Sequence, residues 1–164
     1  MKLNEVVQKQ DFETADSHLK NSYKNQSSIQ PQDDYPSVLV ALFAQESRRD
    51  SEYVANSRLA KEKLEIPQSV KDEVVNVWNF VFPHRALKLE KDRVRAVNDT
   101  TEFSGTEMSD GEKVGLYLIS QILLAEKDCI LIIDEPELHL HKALMVRLWN
   151  KLEEYRKDCT FIYI

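Results

Sequence analysis

The chain has 164 residues, with 22 lysines and arginines against 28 aspartates and glutamates, a formal net charge of −6. Its length suits one domain or one lobe of a larger one, and its acidic balance argues against a surface that clamps nucleic acid throughout. Its two cysteines, Cys129 and Cys159, form no C-x-x-C pair and no disulfide framework. No apolar run approaches the ~20 residues of a membrane helix. The opening MKLNEVVQKQ lacks the apolar core of a signal peptide, so a cytoplasmic protein without a membrane partner is expected.

In chain order, residues 1–35 are polar and read as a linker or mobile segment, most clearly over 21–34 (NSYKNQSSIQPQDD). From Pro36 the pattern turns helical, with Val38, Leu39, Leu42 and Phe43 on one face. A second helix is expected over 52–64, punctuated by Pro67. A third starts at Ser69, three residues before Asp72, and carries the stripe Val74, Val77, Trp78 and Val81 until Pro83 stops it. Leu87, Leu89, Val94 and Ala96 then alternate with charged residues around Glu90, Lys91 and Asp92, which predicts a β-hairpin. Residues 36–100 therefore read as a helical subdomain with a hairpin.

Residues 98–108 are expected to form a loop, followed by a helix over 110–125. Residues 129–133 (CILII) are wholly apolar, the pattern of a strand buried on both faces. An amphipathic helix over 142–156 places Leu144, Leu148, Leu152 and Tyr155 on one side, and residues 160–164 (TFIYI) are expected to form a second buried strand. Strand, helix and strand with short joints make a parallel βαβ unit. Both cysteines stand at the starts of apolar runs and read as buried, reduced thiols. The whole is an α/β chain.

Two segments carry chemistry. In ILIIDEP, an apolar strand delivers Asp134 and Glu135 to its carboxyl end, where ligands gather in open α/β sheets. Asp134 offers hard oxygen to Mg²⁺, and Glu135 can orient or deprotonate a water. The alternative is a strand ending in a polar turn. In MSDGEK, Ser109 and Glu112 have the spacing of a capping box, and Gly111 leaves the backbone open at a helix start that suits phosphate. The alternative is an ordinary capped helix.

MSDGEK, a helix of about a dozen residues, then ILIIDEPELHLH resembles the heads of ABC-type ATPases, and more narrowly the RecF, SMC and OLD-like group. The resemblance covers residues 104–164, called here the signature helix and Walker B portion of a P-loop NTPase-like sheet, within a third segment of 101–164. It implies that Ser109, Asp110, Gly111 and Glu112 form the signature motif, meeting the γ-phosphate of ATP held by the opposite head. It implies Asp134 at Mg²⁺, Glu135 as the catalytic glutamate, and Leu138, His139, Leu140 and His141 as the D-loop. It implies a homodimer of heads that hydrolyses Mg·ATP, coupled to DNA or to a nuclease- or toxin-like effector, in DNA repair or phage defence.

The sequence also departs from that pattern. The glycines are Gly105, Gly111 and Gly115, none followed by lysine, so no G-x-x-x-x-G-K-[ST] phosphate loop exists in these 164 residues. The resemblance places a switch histidine just past Ile164, outside these 164 residues, and Gln45 is a weak candidate for a Q-loop. The chain is accordingly expected to be a piece of an ATPase, inactive alone. Two other classes stay open: a non-catalytic module derived from an ATPase, and a metal-dependent nuclease using Asp134, Glu135, Glu137 and His139. A transition-metal site at His139 and His141 is weaker, because a helix is starting there. His84 reads as a turn residue, His18 has no partner, and Trp78 and Trp149 read as core. Arg93 and Arg95 read as a solvated strand face rather than a DNA surface, and Lys61, Glu62 and Lys63 as a solvated helix face.

Overall fold

The computed structural model describes residues 31–60, 64–90, 93–98, 101–136 and 140–164, with the backbone alone at 31–34. The expectations for residues 1–30 (His18 included), for Lys61, Glu62 and Lys63, for the Lys91–Asp92 turn and for Glu137, Leu138 and His139 lie outside the described residues.

Helix α1 spans Pro31–Leu59, 29 residues. It is one helix where the sequence suggested two, and it begins before Pro36. Residues 44–51 (AQESRRDS) contain neither glycine nor proline, so nothing breaks the backbone ladder between the two apolar patches. Its first half buries Tyr35, Val38, Leu39, Leu42 and Phe43, while the second half is mostly exposed. Gln45 therefore sits in mid-helix and not in a loop.

Helix α2, Val70–Val81, starts where expected. The Ser69 hydroxyl accepts the Asp72 N–H at 3.2 Å and donates to Glu46 of α1 at 2.8 Å, so one cap also ties two helices. Its stripe of Val74, Val77, Trp78 and Val81 is fully buried. The chain then turns through His84, a turn residue as expected, with the Arg85 N–H donating to the Phe82 carbonyl.

Strands β1 (Ala86–Glu90) and β2 (Arg93–Asn98) pair antiparallel, Leu87 opposite Ala96 and Glu90 opposite Arg93. The segment expected as a loop supplies a third strand, β3 (Thr101–Ser104), and a single 3-10 turn, Gly105–Glu107. Thr101 to Phe103 is β-prone, and the open edge of β2 gives it ladder partners that sequence alone does not reveal. Glu102 of β3 accepts from both Lys88 and Arg95, at 3.0 and 2.7 Å, so those cations do not form a free basic strip.

Helix α3 (Asp110–Leu124), strand β4 (Ile130–Ile133), helix α4 (Lys142–Tyr155) and strand β5 (Thr160–Tyr163) complete the fold. β4 and β5 pair in parallel, Ile130 opposite Thr160 and Ile133 opposite Tyr163, the expected strand–helix–strand unit. Leu148, Trp149 and Leu152 of α4 join Trp78 in the core, with Leu144, Tyr155, Leu131, Ile133 and Phe161 packed against it. One expectation fails: neither β4 nor β5 is buried on both faces. Ile130 and Ile132 are 65% and 66% exposed, and Ile162 and Ile164 are exposed beside them. Alternation sends these side chains away from α4, and no described element covers that face.

The cysteines are half-buried free thiols, 3.3 Å apart at the entrances to β4 and β5. Burial pushes the Cys159 thiol up from its ordinary value.

Candidate functional site

Residues 108–113 (MSDGEK) are assembled by packing on both sides. Met108 is buried, and the Tyr35 hydroxyl of α1 donates to its sulfur at 3.7 Å. Burial pushes the Tyr35 phenol well above its ordinary range. Just upstream, the Ser104 N–H donates to the Glu107 carboxylate at 2.8 Å, which holds that exposed carboxyl below its usual value. The 3-10 turn thus feeds Met108 inward and leaves Ser109 outside.

Ser109 is the N-cap of α3, and the capping box expected from its spacing is complete. The Glu112 N–H donates to the Ser109 hydroxyl at 3.3 Å, and the Ser109 N–H donates back to Glu112 Oε2 at 2.8 Å. A helix leaves its first N–H groups without intrahelical acceptors. The box satisfies Ser109 and Glu112, so the N–H groups of Asp110 and Gly111 remain available to an anion at the positive end of α3. Asp110 is exposed, with Lys113 4.0 Å from its carboxylate.

Glu112 itself is 7% exposed. Its partner is Arg85, from the corner between α2 and β1, with Nε 2.6 Å from Oε1. Sequence reading missed Arg85, because nothing in the spacing ties position 85 to position 112.

At the other chemical segment, Asp134 and Glu135 follow β4 directly and both are exposed. Glu135 takes φ of 49°, the left-handed region that a residue with a β-carbon occupies only at a cost. Its N–H donates to the Ile164 carbonyl at 3.1 Å, which extends the β4–β5 ladder and locks the turn. Among the described residues neither carboxylate has a hydrogen-bond or ion-pair partner. Two unpaired carboxylates at the carboxyl end of a parallel strand fit a hard divalent cation. Among the described residues no group of three His, Cys, Asp or Glu side chains is placed to hold a metal by itself.

Of the expected D-loop, Leu138 and His139 lie outside the described residues. Leu140 is buried, and His141 caps α4, its Nδ1 accepting the Ala143 N–H at 3.3 Å. No described hydrogen bond joins the Ser109–Glu112 group to Asp134 and Glu135. The helix that separates them in sequence has 15 residues, about 22 Å of length at ~1.5 Å per residue.

A second unforeseen residue is Arg156, buried at the end of α4. Its guanidinium donates to the carbonyls of Ile122, Ala125 (3.1 Å) and Glu126 (2.7 Å), closing the carboxyl end of α3. It also holds Asp158 through two bonds of 3.0 Å and donates to Cys159 Sγ at 2.8 Å. One side chain thereby joins α3 to the entrance of β5.

The family described as "AAA domain, putative AbiEii toxin, Type IV TA system" matches residues 3–163. The chain belongs to this AAA domain family. No curated protein matches it. AAA domains are ATPase-type modules that in general use Mg²⁺ with ATP, and the mixed α/β architecture of this AAA domain accords with that class. No described helix of the AAA domain is long and apolar enough to cross a membrane.

Proposed function

We propose that the chain supplies the signature and Walker B parts of an ABC-type ATPase head, related to the RecF, SMC and OLD-like group, and that it hydrolyses Mg·ATP only when two heads pair. The observation that carries the reading is Asp134–Glu135: two exposed, unpaired carboxylates directly after a parallel strand, with Glu135 held in the left-handed region. Asp128 shares that conformation at an ordinary turn. At Glu135 it coincides with an unpaired carboxylate at a strand's carboxyl end, and strain of that kind collects at functional positions. The open apolar face of β4 and β5 is a second support. A parallel sheet is covered on both faces, so Ile130, Ile132, Ile162 and Ile164 call for a further layer.

Residues 1–35, 36–100 and 101–164 are then a polar segment, a helical subdomain with its sheet, and the catalytic portion. Asp134 would hold Mg²⁺, which on binding offsets charge on the phosphates. Glu135 would accept the proton of the water that attacks the γ-phosphorus as the β–γ bond breaks. Ser109, with the N–H groups of Asp110 and Gly111, would meet the γ-phosphate of the opposite head, and Glu112 would fix that helix start. Leu138, His139, Leu140 and His141 would face their counterparts across the dimer. The phosphate loop missing from these 164 residues would come from other residues. The family description links such domains to toxins of type IV systems, so a toxin-like or DNA-directed output in phage defence is the role we assign.

The test is Glu135→Gln in the protein that also carries the phosphate loop. ATP binding should persist while turnover falls about a hundredfold, the share that a general base supplies. Paired heads should accumulate with ATP. Undiminished turnover would sink the assignment. Undiminished pairing in Ser109→Arg would sink the role of the signature segment.

A further inference from the structure

We infer that Arg85 is a positioning residue of the nucleotide site, acting through Glu112 to leave the Ser109 hydroxyl free for a phosphate. The inference rests on the signature reading proposed above. Glu112 is the common acceptor: its Oε2 takes the N–H and the O–H of Ser109, each at 2.8 Å. A hydroxyl has one proton, so while Ser109 donates to Glu112 it has none for a phosphate. The hydroxyl must turn when a phosphate arrives. The anion then stands against a buried carboxylate, where water screens poorly.

Arg85 removes that conflict. Its Nε lies 2.6 Å from Glu112 Oε1 and its Nη2 3.4 Å from Oε2, so the guanidinium neutralises the carboxylate mainly through the oxygen that Ser109 does not bond. With the hydroxyl turned, Glu112 still keeps Arg85 and the Ser109 N–H. Arg85 is held on two further sides, with its Nη1 buried and unbonded among the described residues. The Phe103 ring lies 4.7 Å from its guanidinium carbon, and the Arg85 carbonyl accepts the Trp78 indole N–H at 2.6 Å. A capping box alone asks for no arginine, and partly burying a guanidinium costs desolvation. Charge compensation beside an anion site accounts for that cost.

The experiment titrates the ¹⁵N-labelled 164-residue chain with pyrophosphate and follows the amides of Asp110 and Gly111. Saturable millimolar shifts are expected, with affinity about tenfold weaker in Arg85→Ala, the scale of one uncompensated charge at short range. The double variant Arg85→Ala/Glu112→Gln should return to within about twofold of the parent, because glutamine keeps the capping box without the charge. A role in folding alone would show no such return. Parental affinity in a folded Arg85→Ala, or a loss that Glu112→Gln leaves in place, overturns the role of Arg85. No response in the parent chain overturns the signature reading, and the inference with it. If Arg85→Ala loses its dispersed spectrum, Arg85→Lys decides: it should bind within about threefold of the parent, and a tenfold loss refutes charge neutralisation.

Discussion

Gly115 offers the sharpest test of how helix α3 is seated. It lies inside α3, buried against Phe82, and a β-carbon there would stand 2.7 and 2.8 Å from the ring atoms Cζ and Cε2. In an open helix Gly→Ala stabilises by about 1 kcal/mol. Here the ring has to move, and its retreat is blocked. Phe82 packs on Trp78 with centroids 4.3 Å apart, and Trp78 is fully buried and tied by its indole N–H to the Arg85 carbonyl. Overpacking of that kind costs ~1–3 kcal/mol. Against the propensity gain, Gly115→Ala should still lose about 1 kcal/mol, a fall of roughly 2–4 °C in Tm. Phe82→Leu removes the obstructing atoms. The double variant should then be more stable than the sum of the single changes by about 1 kcal/mol. Urea denaturation of the four proteins measures both quantities. A rise in stability for Gly115→Ala alone, or strict additivity, would refute the tight seating of α3 on the α2–β1 corner.

Other perturbations test separate parts of the structure. Arg156→Ala should cost about 3 kcal/mol, because the carbonyls of Ile122, Ala125 and Glu126 lose a buried donor; a loss under 1 kcal/mol would mean that water replaces the guanidinium. The Arg156 guanidinium beside Asp158 holds that carboxyl well below the usual carboxylate range. The unfolded chain therefore takes up the proton first. The stabilisation is complete above about pH 4–5 and is lost as pH falls through the folded value, so Asp158→Asn should flatten the acid limb of a pH–stability curve. Equal acid slopes in both proteins would contradict this. The 164-residue chain by itself should bind Mg·ATP more weakly than micromolar, since one capped helix start with a few exposed donors replaces the full phosphate cradle. Calorimetric titration showing micromolar affinity would reveal a phosphate cradle elsewhere in the chain.

Much of this protein was readable from local pattern. The Ser109–Glu112 box, the stripe of α2, the apolar strands β4 and β5 and the amphipathic α4 each depend on residues within a few positions of one another. Spacing therefore specified them, and the order of MSDGEK and ILIIDEP pointed to an ATPase-type domain. What only tertiary structure decided was distant or conditional. Thr101 to Ser104 became a strand because β2 offered an unpaired edge. α1 ran on as one helix because its first half is anchored in the core and nothing breaks its backbone. The outer face of β4 stayed open because apolarity states a demand for burial without saying what meets it. Arg85 reaches Glu112 across 27 positions, and Arg156 reaches Ile122 across 34. Neither pairing leaves a mark in sequence, because an arginine looks the same whether it faces water or a buried carboxylate. The left-handed turn at Glu135 belongs with them: its side chain announced chemistry, while its backbone was set by the bond from its N–H to Ile164.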